Sequence, residues 1–173
     1  LAAQICGTPT ALISLIDEQR QWFKSTIGFD ETETARDISF CGHAIAQTGL
    51  MEIQDTLQDE RFRDNPLVTG APHIRFYAGA PIVSPRGYAL GTLCVIDLKP
   101  GKLKDSQKKA ILQLARQVVS QMELKRTARL LKSENAFQES ILNSTDATVI
   151  ATDPDGLITH FNKAAELMLE YTA

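Results

Sequence analysis

The stretch Phe76-Tyr77-Ala78-Gly79-Ala80-Pro81-Ile82, with its continuation Gly91-Thr92-Leu93-Cys94-Val95-Ile96-Asp97, decides how this chain folds. It reads as two neighbouring strands joined by a tight turn at Ser84-Pro85-Arg86-Gly87. Apolar and β-branched residues dominate both segments, and small residues punctuate them at Ala78, Gly79, Ala80, Gly91 and Thr92. Glycine inside a strand weakens it unless a bend, a ligand or another backbone needs the space. Two adjacent strands that both surrender side-chain volume therefore predict a sheet with something packed closely against it.

Working outward, Pro9 ends an opening helix, with Gly7-Thr8 supplying the turn. Residues 10–17 place Ala11, Ile13 and Leu15 on one face and Leu12 and Ile16 on the other, the pattern of a central strand covered on both sides. Asp17-Glu18-Gln19-Arg20 is a polar turn, and 21–27 is the partner strand, with Phe23, Ser25 and Ile27 sharing a face. A polar loop follows over 28–37. Ser39 is placed to cap a helix ending near Gly49. Residues 51–54 form a short strand, and 66–72 an irregular loop before the two decisive strands. This order predicts an α+β fold, a mostly antiparallel sheet with flanking helices.

From Asp105 the composition changes. Residues 106–143 hold no Gly or Pro and many strong helix formers. Ile111, Leu114, Ala115, Val118 and Met122 make one apolar stripe; Leu124, Ala128, Leu130, Leu131, Phe137 and Ile141 continue it with imperfect spacing. About 38 helical residues would reach about 57 Å, longer than a small domain is wide. A helix with such a seam is most simply buried against a copy of itself, so a homodimer through 105–143 is expected. Next, Ala147-Thr148-Val149-Ile150-Ala151-Thr152, the turn Asp153-Pro154-Asp155-Gly156, and Leu157-Ile158-Thr159-His160-Phe161-Asn162 read as a hairpin. Asn162 caps a short helix over 163–168.

Charge and composition exclude several classes of function. The formal net charge is −3, from 18 basic and 21 acidic residues, which gives no footprint for nucleic acid. The basic run Lys125, Arg126, Arg129 and Lys132 reads as a solvated helix face. No run reaches the roughly 18 apolar residues of a membrane span, and no signal peptide is present. Three cysteines, Cys6, Cys41 and Cys94, in unlike settings do not make a disulfide framework, so a reducing cytoplasm is expected. The chain starts at Leu1 inside what reads as a helix and stops at Ala173 without closing a fold, as an excised piece of a longer protein would.

Together with Phe40-Cys41-Gly42-His43-Ala44-Ile45 and Asp59-Glu60-Arg61-Phe62-Arg63-Asp64-Asn65-Pro66, the two decisive strands resemble the GAF family of small-molecule sensor domains over roughly residues 1–125. Ile141-Leu142-Asn143-Ser144-Thr145-Asp146, Asp153-Pro154-Asp155-Gly156 and Phe161-Asn162-Lys163-Ala164-Ala165 resemble the start of a PAS domain, of which about the first third is here. The organisation expected is a GAF core over 1–104, a signalling helix over 105–143 and a partial PAS hairpin unit over 144–173. The resemblance implies a bacterial cytoplasmic sensor without catalysis of its own. Its expected output enzyme is a diguanylate cyclase (a GGDEF protein), or else a histidine kinase. A dimerising module that has lost ligand binding is the alternative, with a thiol reductase behind it.

Candidate chemistry is sparse. Cys41-x-His43 would need further ligands to hold a metal, and His73 and His160 are isolated, so no metal is expected. A catalytic thiol needs a base within reach, and side chains two apart on a helix diverge. One branch of the family reduces free methionine sulfoxide with cysteines gathered in its pocket. Cys6 in the opening helix and Cys94 in a strand do not match that arrangement. Another branch attaches a bilin to cysteine, but Cys41 lacks the acidic and aromatic neighbours that hold such a pigment. The expected ligand site lies between the sheet face carrying Phe76 and the helix over 39–49, closed by the loop over 55–72. Phe40, Cys41, His43, Phe62, Ile74, Phe76 and Cys94 are the residues expected to line it. An error of alternation would exchange Ile74 and Phe76 for Arg75 and Tyr77. The sequence names no ligand or cofactor: cyclic nucleotides, small metabolites, haem and no ligand at all stay open.

Overall fold

The computed structural model describes residues 1–144 and 147–170; Thr145 and Asp146, within the PAS-like run, and the last three residues lie outside them. The described chain forms two compact units, Leu1–Met122 and Glu123–Ala173.

The first unit is built on a six-stranded sheet. After α1 (Ala2–Cys6) come β1 (Thr10–Ile16), β2 (Arg20–Ile27), β3 (Glu33–Ala35), α2 (Phe40–Ala44), β4 (Met51–Ile53), α3 (Pro66–Thr69), β5 (Phe76–Val83), β6 (Ala89–Asp97) and the start of α4 (Asp105–Ser144). The sheet order is β3-β2-β1-β6-β5-β4, antiparallel throughout. β1 and β6 are central, as the two-faced apolar pattern of β1 requires. Gly87 closes the β5–β6 turn at φ +84°, with its N–H on the Ser84 carbonyl. Pro81 lies beyond the last β4 pairing at Gly79, where β5 has a strand on one side only and a missing N–H is tolerated.

Alternation divides the core in two. On one face Ala11, Phe76, Ala78, Ala80, Leu93 and Val95 meet Ala2 and Ala3 of α1, Leu103, and Ile111 and Ala115 of α4. The alanines of the sheet thus let two helices approach it. On the other face Leu12, Phe23, Tyr77, Cys94 and Ile96 pack under α2 and the segment from Met51 to Ile74.

Three elements differ from expectation. The stretch over 66–72, expected as an irregular loop, opens with α3, which Asn65 caps. The loop over 28–37 contains β3, which pairs Arg20, Gln21 and Trp22 of β2 with Ala35, Thr34 and Glu33. The helix expected over 39–49 is regular only as far as Ala44 and continues in turns. The first unit also runs on past residue 104 to Met122, because Ile111 and Ala115 are buried on the sheet. Glu52 fixes that stretch of α4: its carboxylate accepts the Leu103 N–H at 2.7 Å and pairs with Lys108 at 2.5 Å.

In the second unit β7 (Ile150–Thr152) and β8 (Ile158–Phe161) form the hairpin, followed by α5 (Lys163–Leu169). Asn162 is fully buried and holds the unit together. Its Oδ1 accepts from the N–H groups of Val149 and Ala165, and its Nδ2 donates to the carbonyls of Leu142 and Ala147. Both donors and both lone pairs are thereby used.

Candidate functional site

Ser39 starts α2 by accepting the Gly42 N–H on its hydroxyl at 2.9 Å, while the same hydroxyl bonds to Gln21 of β2. The helix so anchored turns Phe40, Cys41 and Ala44 onto the sheet and leaves His43 exposed. The third wall is the segment from Asp55 to Ile74, which a series of side-chain caps shapes. Asp55 caps a 3-10 turn over Thr56–Gln58 and takes a two-point ion pair from Arg75 at 2.9 and 3.0 Å. Asp59 does the same for the next turn, with Arg61. Asn65 caps α3 and donates to the Ile38 carbonyl. This frame holds Phe62, Val68 and Ile74 inward.

The enclosed space is nearly full. Phe40 stacks on Phe62 with ring centroids 4.3 Å apart and on Tyr77 at 5.2 Å. What remains is a cavity of about 20 Å³ bounded by Gln21, Thr34, Phe40, Cys41 and Tyr77 among others. That is room for about one water-sized guest. The buried Thr34 hydroxyl in its wall has no hydrogen-bond partner among the described residues. Two larger clefts lie elsewhere on this unit. One, of about 670 Å³, lies between the turn after α2, the ends of β5 and β6, and α4; the other, of about 600 Å³, is an open groove by Glu18, Arg36 and His43.

Beside the cavity is a buried polar cluster. The Tyr77 hydroxyl donates to Cys41 Sγ at 3.3 Å, Cys41 and Cys94 Sγ are 3.7 Å apart, and the Ser14 and Thr92 hydroxyls are 3.2 Å apart. All five side chains are buried. Burial pushes the Cys41 thiol up, but hydrogen bonds from Cys94, Ser14, Thr92 and Tyr77 more than reverse this and hold it lowered, at about 6. Cys94 moves the other way, raised by its hydrogen bond to Cys41 and by burial. Burial, then the neighbouring thiols, likewise raise Tyr77. Of the pair, Cys41 is the more acidic thiol.

Of the seven residues expected here, Phe40, Cys41, Phe62, Ile74 and Cys94 are gathered in one cluster. Phe76 is not: it lies on the opposite face against α4, and Tyr77 takes its place. Strand alternation begins only at Phe76. Ile74 precedes it, with its N–H on the Leu67 carbonyl, so both Ile74 and Tyr77 turn inward while Arg75 faces out to Asp55. His43 packs its ring edge on Phe62 at 4.8 Å but faces the open groove. The unlike settings of the cysteines in sequence conceal that α2 and β6 bring Cys41 and Cys94 together. Thr34 is reached only through β3, for which the sequence carries no apolar signal, and Gln21 lies on the expected strand β2 but is polar, so nothing in its type marks it as inward. Among the described residues no cluster of His, Cys, Asp or Glu suits a metal ion.

The GAF domain model matches residues 1–122. The chain belongs to the GAF domain family. A PAS fold model matches 136–173, so the GAF domain is followed by the opening part of a PAS domain. The chain is 40% identical over 153 residues to a cyclic di-GMP phosphodiesterase of Pseudomonas aeruginosa, a match that covers 88% of this chain and 26% of that protein. The chain thus spans about a quarter of that relative's length. Among solved structures, the GAF domain of a phosphoenolpyruvate-protein phosphotransferase from Coxiella burnetii superposes with a TM-score of 0.61 at 13% identity, over 75% of this chain and 82% of that one. The free methionine-R-sulfoxide reductase of Neisseria meningitidis, solved with its substrate, gives 0.60 at 17% identity, over 73% and 74%. At these identities the two structures establish the GAF fold alone. The GAF domain is a sensory module of signalling proteins. Among the described residues no helix is long and apolar enough to cross a membrane.

Proposed function

We propose that this GAF–PAS segment is the sensory input of a cytoplasmic bacterial protein that turns over cyclic di-GMP, and that it acts as a homodimer through α4. The observation that carries the reading is α4 itself, a continuous helix of 40 residues that begins within the GAF unit and ends within the PAS-like one. Beyond Met122 it exposes Leu124, Leu130, Leu131, Phe137 and Ile141, spaced as a weak seam. The relative in Pseudomonas aeruginosa supports a cyclic di-GMP enzyme as the output. That relative is a phosphodiesterase, which favours hydrolysis of the dinucleotide over the synthesis expected from the sequence. A histidine kinase output is not favoured by that relative.

Signalling would be a population shift between two packings of the GAF unit, read out along α4 as a change of rotation or register. The interior cavity constrains the ligand. Pockets for drug-sized molecules run to about 300–1,000 Å³, whereas this space measures about 20 Å³. As packed, it admits neither a cyclic nucleotide nor haem. The same tight packing favours a second reading, in which the GAF unit dimerises and senses nothing diffusible. The first reading is tested by altering the phase of α4 in the longer protein and measuring cyclic di-GMP turnover.

A further inference from the structure

We propose that Cys41 and Cys94 form a redox-active pair, oxidised by hydrogen peroxide to an intramolecular disulfide that ties α2 to β6. The inference goes beyond the sensory reading above and does not depend on cyclic di-GMP. Four observations converge on it. The two sulfurs are 3.7 Å apart, in contact across the interior, and come from elements separated by 53 residues of chain. A disulfide bond of about 2.05 Å would require the two sulfurs, already in contact, to close the remaining gap. The Tyr77 hydroxyl donates to Cys41 Sγ, an interaction that favours thiolate over thiol, and the lowered Cys41 acidity is consistent with it. Finally, Cys41 walls the small cavity, which has space for a guest about the size of water and an unpartnered Thr34 hydroxyl to bind one.

The cavity selects the oxidant. An amino acid sulfoxide is far too large for it, whereas hydrogen peroxide is a small two-electron oxidant and can enter through local opening of α2, a helix of five residues. The Cys41 thiolate attacks one peroxide oxygen, the O–O bond breaks, and the departing hydroxide takes up the Cys41 proton to leave as water. Cys41 is then a sulfenic acid. Cys94 sulfur attacks the Cys41 sulfur, the S–S bond forms, the S–O bond breaks, and the hydroxyl leaves as water with the Cys94 proton. Two thiols have lost two electrons and two protons, and one peroxide has become two waters. Tyr77 is a positioning residue here: it holds the Cys41 sulfur beside the cavity.

The test exposes the whole chain to hydrogen peroxide, then denatures it with N-ethylmaleimide present and measures intact mass and peptide cross-links. The expected product has lost two hydrogens, carries maleimide on Cys6 but not on Cys41 or Cys94, and regains label at all three cysteines after dithiothreitol. Cys6→Ser should still form the cross-link, Cys41→Ser and Cys94→Ser should not, and Tyr77→Phe should form it several-fold more slowly. Should a cysteine variant fail to fold, the Cys41–Cys94 cross-linked peptide of the wild-type chain decides alone. The proposal is overturned if Cys41 and Cys94 both remain labelled after exposure that oxidises Cys6. Cross-linking through Cys6, or irreversible oxidation of the pair without an S–S bond, would overturn it equally.

Discussion

At Gly79 an added Cβ would land on the Tyr77 hydroxyl, and at Gly91 on the Ser14 carbonyl of β1. The volume that the two strands surrender is therefore taken up inside the protein, by the Tyr77 ring and by the neighbouring backbone. Gly79→Ala should destabilise the GAF unit by about 1–3 kcal/mol, the usual cost of overpacking. Gly91→Ala should cost more, because a backbone cannot step aside as a ring can. Urea unfolding followed by far-ultraviolet circular dichroism measures both. The acid limb of stability belongs to this scale too. Arg20 beside Asp17, Arg75 beside Asp55 and Arg61 beside Asp59 hold those carboxyls below their ordinary value of 3.8. A folded-state value below the unfolded one adds stability that is full above about pH 4 and is lost as pH falls further. Denaturation midpoints should drop as pH falls below about 4, through the range in which these three carboxylates take up protons. Arg75→Met should flatten the drop, because it deletes one of the three shifts.

The elements were legible wherever pattern and chemistry agreed. β1 shows its central place through apolar residues on both faces, β5 and β6 through their β-branched content, and α2 through the Ser39 cap. β3 was hidden because Glu33-Thr34-Ala35 has neither apolar alternation nor β-rich composition; pairing with β2 makes it a strand. The site was half legible. Phe40, Cys41 and Phe62 announce themselves by type and position, but the face of β5 depends on where its alternation starts, and one residue of phase exchanges Phe76 for Tyr77. For α4, the stripe splits into a part that packs on the sheet, Ile111 and Ala115, and a part that stays exposed. If the exposed part is the dimer seam, light scattering at micromolar concentration gives a dimer. Leu124→Glu with Leu131→Glu then yields a monomer whose GAF unit keeps its unfolding midpoint. A wild-type monomer would remove dimerisation from the account. Val118→Glu with Met122→Glu is the companion variant: both positions are half-buried, so it splits the dimer only if the seam extends to that face.

On the scale of the whole molecule, a GAF unit with a nearly full interior is joined through one helix to the opening of a PAS domain. Bulk charge gave no sign of a nucleic-acid surface, element order pointed to an antiparallel α+β fold, and the regulatory role came from the family resemblance alone. The output was not legible, since no residue of this chain carries it. The account stands on α4 as the element that couples input to output. Four alanines inserted between Met122 and Glu123 leave the helix intact but rotate everything after them relative to everything before. The decisive measurement is cyclic di-GMP turnover by the longer protein with and without that insertion. Coupling of ordinary strength predicts that the rate changes by about fivefold or more, with the KM for the dinucleotide unmoved. A rate equal to that of the uninserted protein would contradict the claim that this segment governs the enzyme.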